Sequence, residues 1–162
     1  MYPQAMEFAR LFGAFEYAMK RGGLHCKGTK WKTGKPAAAD WTTFVLMLPA
    51  DFFAKASLLP QARHLIDHPP RKLVMGPEDG PPVWGDFPAA STDAAKLVDH
   101  LKDVRNNFFH GDKTATDRDV DLLVAGTAVL MLMRSMTVGQ EALKAFHGKL
   151  NEMVGPMPLA AE

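Results

Sequence analysis

The stretch LLVAGTAVLMLM, residues 122–133, limits what this chain can fold into more than any other. It is far shorter than the roughly 20 apolar residues that a membrane span requires. Its residues also leave no polar face to turn toward water, so a helix here has to be surrounded by the rest of the chain. Thr116 and Asp119 stand at capping-box spacing and place that helix at 117–135, in the centre of a bundle. With 162 residues, 47% of them apolar and 23% charged, the chain can build one such core but not two ordinary ones.

The flanking helices are set by spacing. Phe8, Leu11, Phe12, Phe15, Ala18 and Met19 recur at helical intervals between Pro3 and Arg21, and Gly22-Gly23 supplies the stop. Asp40 is a good N-cap for a helix through Trp41, Phe44, Val45 and Leu48, which Pro49 kinks or splits ahead of Phe52 and Phe53. A short helix after Pro60 carries Ala62, Leu65 and Ile66 up to Pro69-Pro70. Ser91 or Thr92 caps a helix whose inner stripe is Leu97, Leu101, Val104 and Phe108, with Gly111 as its stop. A last helix at about 138–153 starts at Thr137-x-x-Gln140 and turns Ala142, Phe146 and Leu150 inward.

Between these helices, residues 71–90 hold too much proline and glycine for a helix interior. They read as an irregular insert with a short hairpin turning at PEDGPP, Val83 and Trp84 packing back on the core. The expected fold is therefore all-α, a four- to five-helix up-and-down bundle. It forms one domain over residues 1–154, followed by a loose tail at 155–162. Met131, Met133 and Met136 read as core filler.

A formal net charge of +1 sets up no global attraction to nucleic acid or membrane, so any polyanion must meet a local patch. Cys26 is the single cysteine, which excludes an internal disulfide and a multi-cysteine zinc site. The opening MYPQAMEFARLF carries Glu7 and Arg10 early and has no apolar signal core, so a reducing cytoplasm is the expected location.

The stretch VRNNFFHGDK, residues 104–113, sets two phenylalanines among polar side chains at the end of a helix. At about 100° per residue, Arg105, Phe109, Asn106 and His110 fan over about 140° roughly opposite the inner stripe. Arg105 and His110 flank Asn106 on the outward face, and Phe109 shares that face. Solvated polarity at a helix end, with Arg and His favouring the helix dipole, is one account. A site is the other. An outward phenylalanine calls for a cover, either the 71–90 insert or the same helix of a second copy across a two-fold axis. The second cover makes a composite cleft with two arginines and two histidines. There, histidine can move a proton at neutral pH while arginine stabilises charge on phosphate oxygens. Those roles suit attack of a ribose 2′-hydroxyl on its own phosphodiester, with Asn106 orienting the histidine or donating to an oxygen. The scheme needs no metal and no cofactor.

The same segment, LKDVRNNFFHGDK, resembles the signature of HEPN domains, whose motif is Arg, four to six residues beginning with a polar one, then His. Arg105-Asn106-Asn107 with Phe109, His110-Gly111 and Lys113 is similar to the form found in one bacterial subgroup. FEYAMKRG, Asp40-Trp41, Pro69-Pro70, and Arg118-Asp119 followed by Leu122-Leu123 look like landmarks of that subgroup, so the resemblance spans most of residues 8–135. It implies a homodimeric helical bundle, often a metal-independent endoribonuclease of toxin–antitoxin, defence or RNA-processing systems. On that resemblance Arg105 and His110 are the catalytic pair and Asn106 the assisting residue. RNA is the substrate, and an antitoxin protein is a partner in toxin systems. HEPN toxins neutralised by nucleotidyltransferase antitoxins commonly carry tyrosine two residues after the histidine, where this chain has Asp112. Other HEPN proteins are non-catalytic dimers that bind RNA, a nucleotide or a partner protein.

Asn107 and Lys113 of the motif are expected to bind substrate, and Phe109 is expected at the dimer interface. The loop at 20–35 carries Lys20, Arg21, Lys27, Lys30, Lys32 and Lys35 around Trp31 with no acidic residue. It is either a solvated loop or a grip for RNA, with Lys30 on phosphate and Trp31 stacking a base. His64-x-x-x-His68, with Asp67 adjacent, has metal-ligand spacing but lacks a third ligand nearby, and so reads as a surface pair. His25-Cys26 is a similarly weak pair. Glu16 is a boundary residue of the first helix, or it reaches the Arg105 cluster and holds the guanidinium.

Overall fold

A computed structural model of the chain describes residues 3–28, 32–78, 80–109 and 116–157. The first helix, α1 (Pro3–Arg21), buries the apolar stripe that its spacing predicts, from Phe8 to Met19. Gly23, at φ 90°, reverses the chain so that the Leu24 amide returns to the Met19 carbonyl at 2.8 Å. Asp40 caps α2 (Trp41–Leu46), accepting the Thr43 amide at 3.0 Å. Pro49 keeps that helix from continuing. The chain resumes as α3 (Phe52–Leu58), then α4 (Pro60–Asp67) with Pro60 in its first turn.

Two-residue strands, β1 (Leu73–Val74) and β2 (Val83–Trp84), pair antiparallel with Leu73 opposite Trp84 and Val74 opposite Val83. The hairpin does not fold back on the core as expected. Val83 stays exposed and Trp84 is half-buried. The Arg71 side chain holds it instead, donating Nε to the Gly85 carbonyl at 2.5 Å and Nη2 to the Trp84 carbonyl at 2.8 Å.

Helix α5 (Ala94–Phe109) is capped by Asp93, which accepts the Lys96 amide at 2.8 Å. The expected caps have other roles: Ser91 is buried, and Thr92 donates to the Asp93 carboxylate. Helix α6 (Asp117–Thr137) opens with its capping box, the Thr116 amide reaching Asp119 Oδ2 at 2.9 Å. A 3₁₀ turn (Glu141–Leu143) leads into α7 (Lys144–Val154). Thr137 therefore ends α6 rather than starting the last helix, and its hydroxyl bonds back to the Met133 carbonyl at 2.7 Å. Ala142 faces solvent and Leu143 takes the inward position. Among the described residues the chain is all-α apart from the hairpin, with seven α-helices rather than four or five.

Helix α1 packs most extensively on α7 and α6, and α4 lies on α6. Aromatic rings pack around α1: Phe15 sits 5.4 Å from Phe146 of α7, and 6.0 Å and 6.3 Å from Phe44 and Trp41 of α2, between centroids. Two glycines allow the approach. A Cβ at Gly126 would stand 2.6 Å from Phe8 Cε2, and one at Gly22 would stand 2.7 Å from Phe146 Cα. Helix α6 is long and apolar enough to cross a bilayer, yet half of its most apolar stretch is buried within the domain. It is not enclosed on every side as expected, because Val124 (39% exposed) and Met131 (40%) lie on an open face. Arg134 of the same helix is 4% exposed and donates Nη2 to Asn151 Oδ1 at 2.7 Å and to the Gly155 carbonyl, fastening the first residue of the tail.

Gly126→Ala forces a methyl group into the Phe8 ring and should cost about 1–3 kcal/mol, read as a drop of several degrees in thermal midpoint. Gly148→Ala, in α7 with nothing within 4 Å of the added carbon, should instead stabilise by roughly 0.5–1 kcal/mol. A second test uses two buried histidines: His100 Nδ1 lies 2.9 Å from Ser91 Oγ, and His147 Nε2 lies 3.0 Å from Thr137 Oγ1. Burial pushes both rings below the ordinary histidine pKa, with Lys96 reinforcing the shift at His100 and hydrogen bonding to the Thr137 backbone opposing it at His147. The unfolded chain therefore takes up these protons first, near a pH of about 6.5. The stability contributed by the neutral rings is complete above that pH and is lost as pH falls through the lower folded values. Thermal midpoints should drop between pH 7.5 and 5, less steeply in His100→Gln.

Candidate functional site

The spacing of α5 places its C-terminal turn at the edge of the core. Val104 is buried, Arg105 half-buried and Asn106 exposed. Arg105 Nη1 donates to Asn106 Oδ1 at 3.2 Å. The guanidinium borders a cleft of about 180 Å³ whose far wall is the middle of α1: Ala9, Phe12, Gly13 and Glu16. Gly13 leaves that wall open, with nothing within 4 Å of where a Cβ would stand. Glu16 shares the cleft with Arg105, but no ion pair joins them among the described residues. The guanidinium thus meets a neutral amide and an open cleft that also holds the Glu16 carboxylate, unpaired with it.

Asn107 has a different position. Its Nδ2 donates to the Arg71 carbonyl at 2.5 Å, across 36 residues of sequence, and ties the end of α5 to the start of the insert. That bond braces the structure and occupies one N–H of the amide. Phe109 is the last residue of α5. His110 comes directly after it in sequence, and His110 and Lys113 lie outside the described residues, as do Lys30 and Trp31. The basic loop leaves α1 about one turn beyond Glu16. Its stems are joined rather than loose: His25 bridges Ala39, and the Cys26 amide donates to the Ala38 carbonyl at 2.9 Å. Lys27, Lys32 and Lys35 are exposed.

The His64–His68 pair is present, with ring centroids 5.4 Å apart. Among the described residues no group of three or more His, Cys, Asp or Glu side chains could hold a metal ion. Sequence reasoning missed a network beside this pair. The Arg71 and Arg118 guanidiniums lie over the Phe87 ring, 5.0 and 4.5 Å from its centroid, and Arg118 Nη2 donates to the Pro69 carbonyl at 3.1 Å. Phe87 sits in a proline-rich stretch without periodicity, so the only signal was one aromatic residue where no core position was expected.

Asn107→Ala removes the brace while leaving Arg105 in place. It should cost about 1–3 kcal/mol, because the Arg71 carbonyl loses its partner, and should increase amide hydrogen exchange in residues 71–74. Unchanged stability and exchange would mean that the Asn107 bond does not hold the insert.

Comparison of the chain with protein-family models, with curated proteins and with solved structures finds no match.

Proposed function

We propose that the chain is a homodimeric, HEPN-type endoribonuclease that cleaves RNA without a metal ion. The observation that carries this reading is Arg105: a guanidinium on the outward side of α5, bonded to Asn106 and facing an open cleft, with no ion pair to neutralise it among the described residues. The motif resemblance supplies His110 as the proton-transfer partner. In the reaction the ribose 2′-oxygen forms a bond to phosphorus as His110 of one protomer takes its proton. The bond to the 5′-oxygen breaks, and that oxygen takes a proton from the protonated His110 of the second protomer, giving 2′,3′-cyclic phosphate and 5′-hydroxyl ends. Arg105 stabilises the charge that builds on the non-bridging oxygens, and Asn106 holds the guanidinium in register. Two copies related by a two-fold axis bring two such sets into one cleft. In a toxin–antitoxin system a protein antitoxin would cover that cleft.

Incubation of the protein with single-stranded RNA in excess chelator should yield cyclic-phosphate ends. His110→Ala and Arg105→Ala should each reduce the rate by about 10²–10⁴-fold. Light scattering should find a dimer. Cleavage that persists in His110→Ala sinks the catalytic assignment, and a strictly monomeric active protein sinks the composite cleft. RNA binding with no turnover would replace the ribonuclease by a non-catalytic dimer.

A further inference from the structure

A larger cavity, about 490 Å³, opens between α4, residues 87–88 and the first turn of α6, and the ribonuclease reading makes no use of it. That volume lies within the range of about 300–1,000 Å³ in which small-molecule sites fall. Carbon dominates its wall, from Pro69, Phe87 and Pro88. Phe87 is 62% exposed and is held there by the two guanidiniums over its ring.

The polar groups at the cavity are few and unequal. Asp67 is already paired with Arg63 at 3.0 Å. Arg71 uses two of its donors on the Gly85 and Trp84 carbonyls. Arg118 gives one N–H to the Pro69 carbonyl, and among the described residues no carboxylate pairs with it. A guanidinium has five N–H donors, so a fork remains for a ligand. His64 lines the cavity, and its Nε2 is buried with no hydrogen-bond partner, a state whose cost a ligand recovers when the ring turns toward it. Burial pushes the His64 ring below the ordinary histidine pKa, so it is neutral at pH 7.

We propose that this cavity binds a small organic carboxylate with an aromatic or branched aliphatic body, its carboxylate bridging Arg118 and His64 Nε2 and its body against Pro69, Phe87 and Pro88. A single unpaired guanidinium, with Asp67 and Asp121 nearby, matches one negative charge better than the two of a phosphate monoester. A nucleotide would also press ribose hydroxyls and base edges against carbon walls that cannot bond them. None of the residues involved belongs to the Arg105 cluster, so the two readings stand or fall separately.

Isothermal titration of the 162-residue chain with phenylacetate and with isovalerate tests this, with benzyl alcohol, inorganic phosphate and uridine 5′-monophosphate as comparisons. At least one carboxylate should bind saturably with unit stoichiometry. Arg118→Lys and His64→Phe should each weaken it about tenfold or more, with circular dichroism confirming that both variants remain folded. Arg118→Lys keeps the charge but loses the planar fork, which separates recognition from loss of fold. Four outcomes overturn the proposal: no saturable carboxylate binding up to about 10 mM; equal binding of benzyl alcohol; tighter binding of phosphate or uridine monophosphate; or full affinity in both folded variants.

Discussion

The burial of the aromatic stripe of α1 between α6 and α7 is the interaction on which the rest of the structure depends. Phe8, Phe12 and Phe15 cannot be left in water: Phe8 lies against Gly126 of α6, Phe12 against Trp41 of α2, and Phe15 against Trp41 and Phe44 of α2 and Phe146 of α7. Burying a phenylalanine side chain is worth about 1.5–3 kcal/mol, so this one helix gathers much of the apolar driving force. Geometry comes out of that gathering. With Phe8 seated on Gly126 and α1 fixed against α6, the polar flank of α1 at Gly13 and Glu16 comes to stand opposite Arg105.

Helix α5 divides its residues between two tasks. Leu97, Val98, Leu101 and Val104 belong to the core, whereas Arg105 and Asn106 face out. Asn107 lies between them and reaches the Arg71 carbonyl, while the Arg71 side chain holds the hairpin and covers Phe87. The last turn of α5 is therefore linked to the wall of the larger cavity through Arg71, by one hydrogen bond and one guanidinium–ring contact. A shift at the end of α5 has a direct route to the wall of the cavity.

Much of this was legible in the sequence, and the boundary of legibility has a physical cause. Periodicity found α1 and the inner stripe of α5 because burial acts on every turn of a helix. Local chemistry found the Asp40 cap, the Pro49 break and the Thr116–Asp119 box, since those partners lie within a few residues of each other. It failed where two local candidates competed, as at Ser91, Thr92 and Asp93, or where a cap-like residue had a tertiary partner, as Thr137 has in His147. The open face of α6 escaped because an apolar helix does not announce which side its neighbours leave bare. Long-range hydrogen bonds were out of reach altogether. Nothing near Asn107 in sequence points to Arg71, and the motif spacing that singled out Asn107 gave no sign that its amide was already engaged.

Gly22 and Gly126 differ from the other helix glycines in what they permit over time. Any descendant of the same ancestor that keeps α1 pressed against α6 and α7 is confined to glycine at both points, whereas Gly13 and Gly148 have room to drift. The ten methionines, interchangeable with other flexible apolar residues, leave no such trace. A distant cousin of this chain would be recognised by two absent side chains, one at the end of its first helix and one in the middle of its longest.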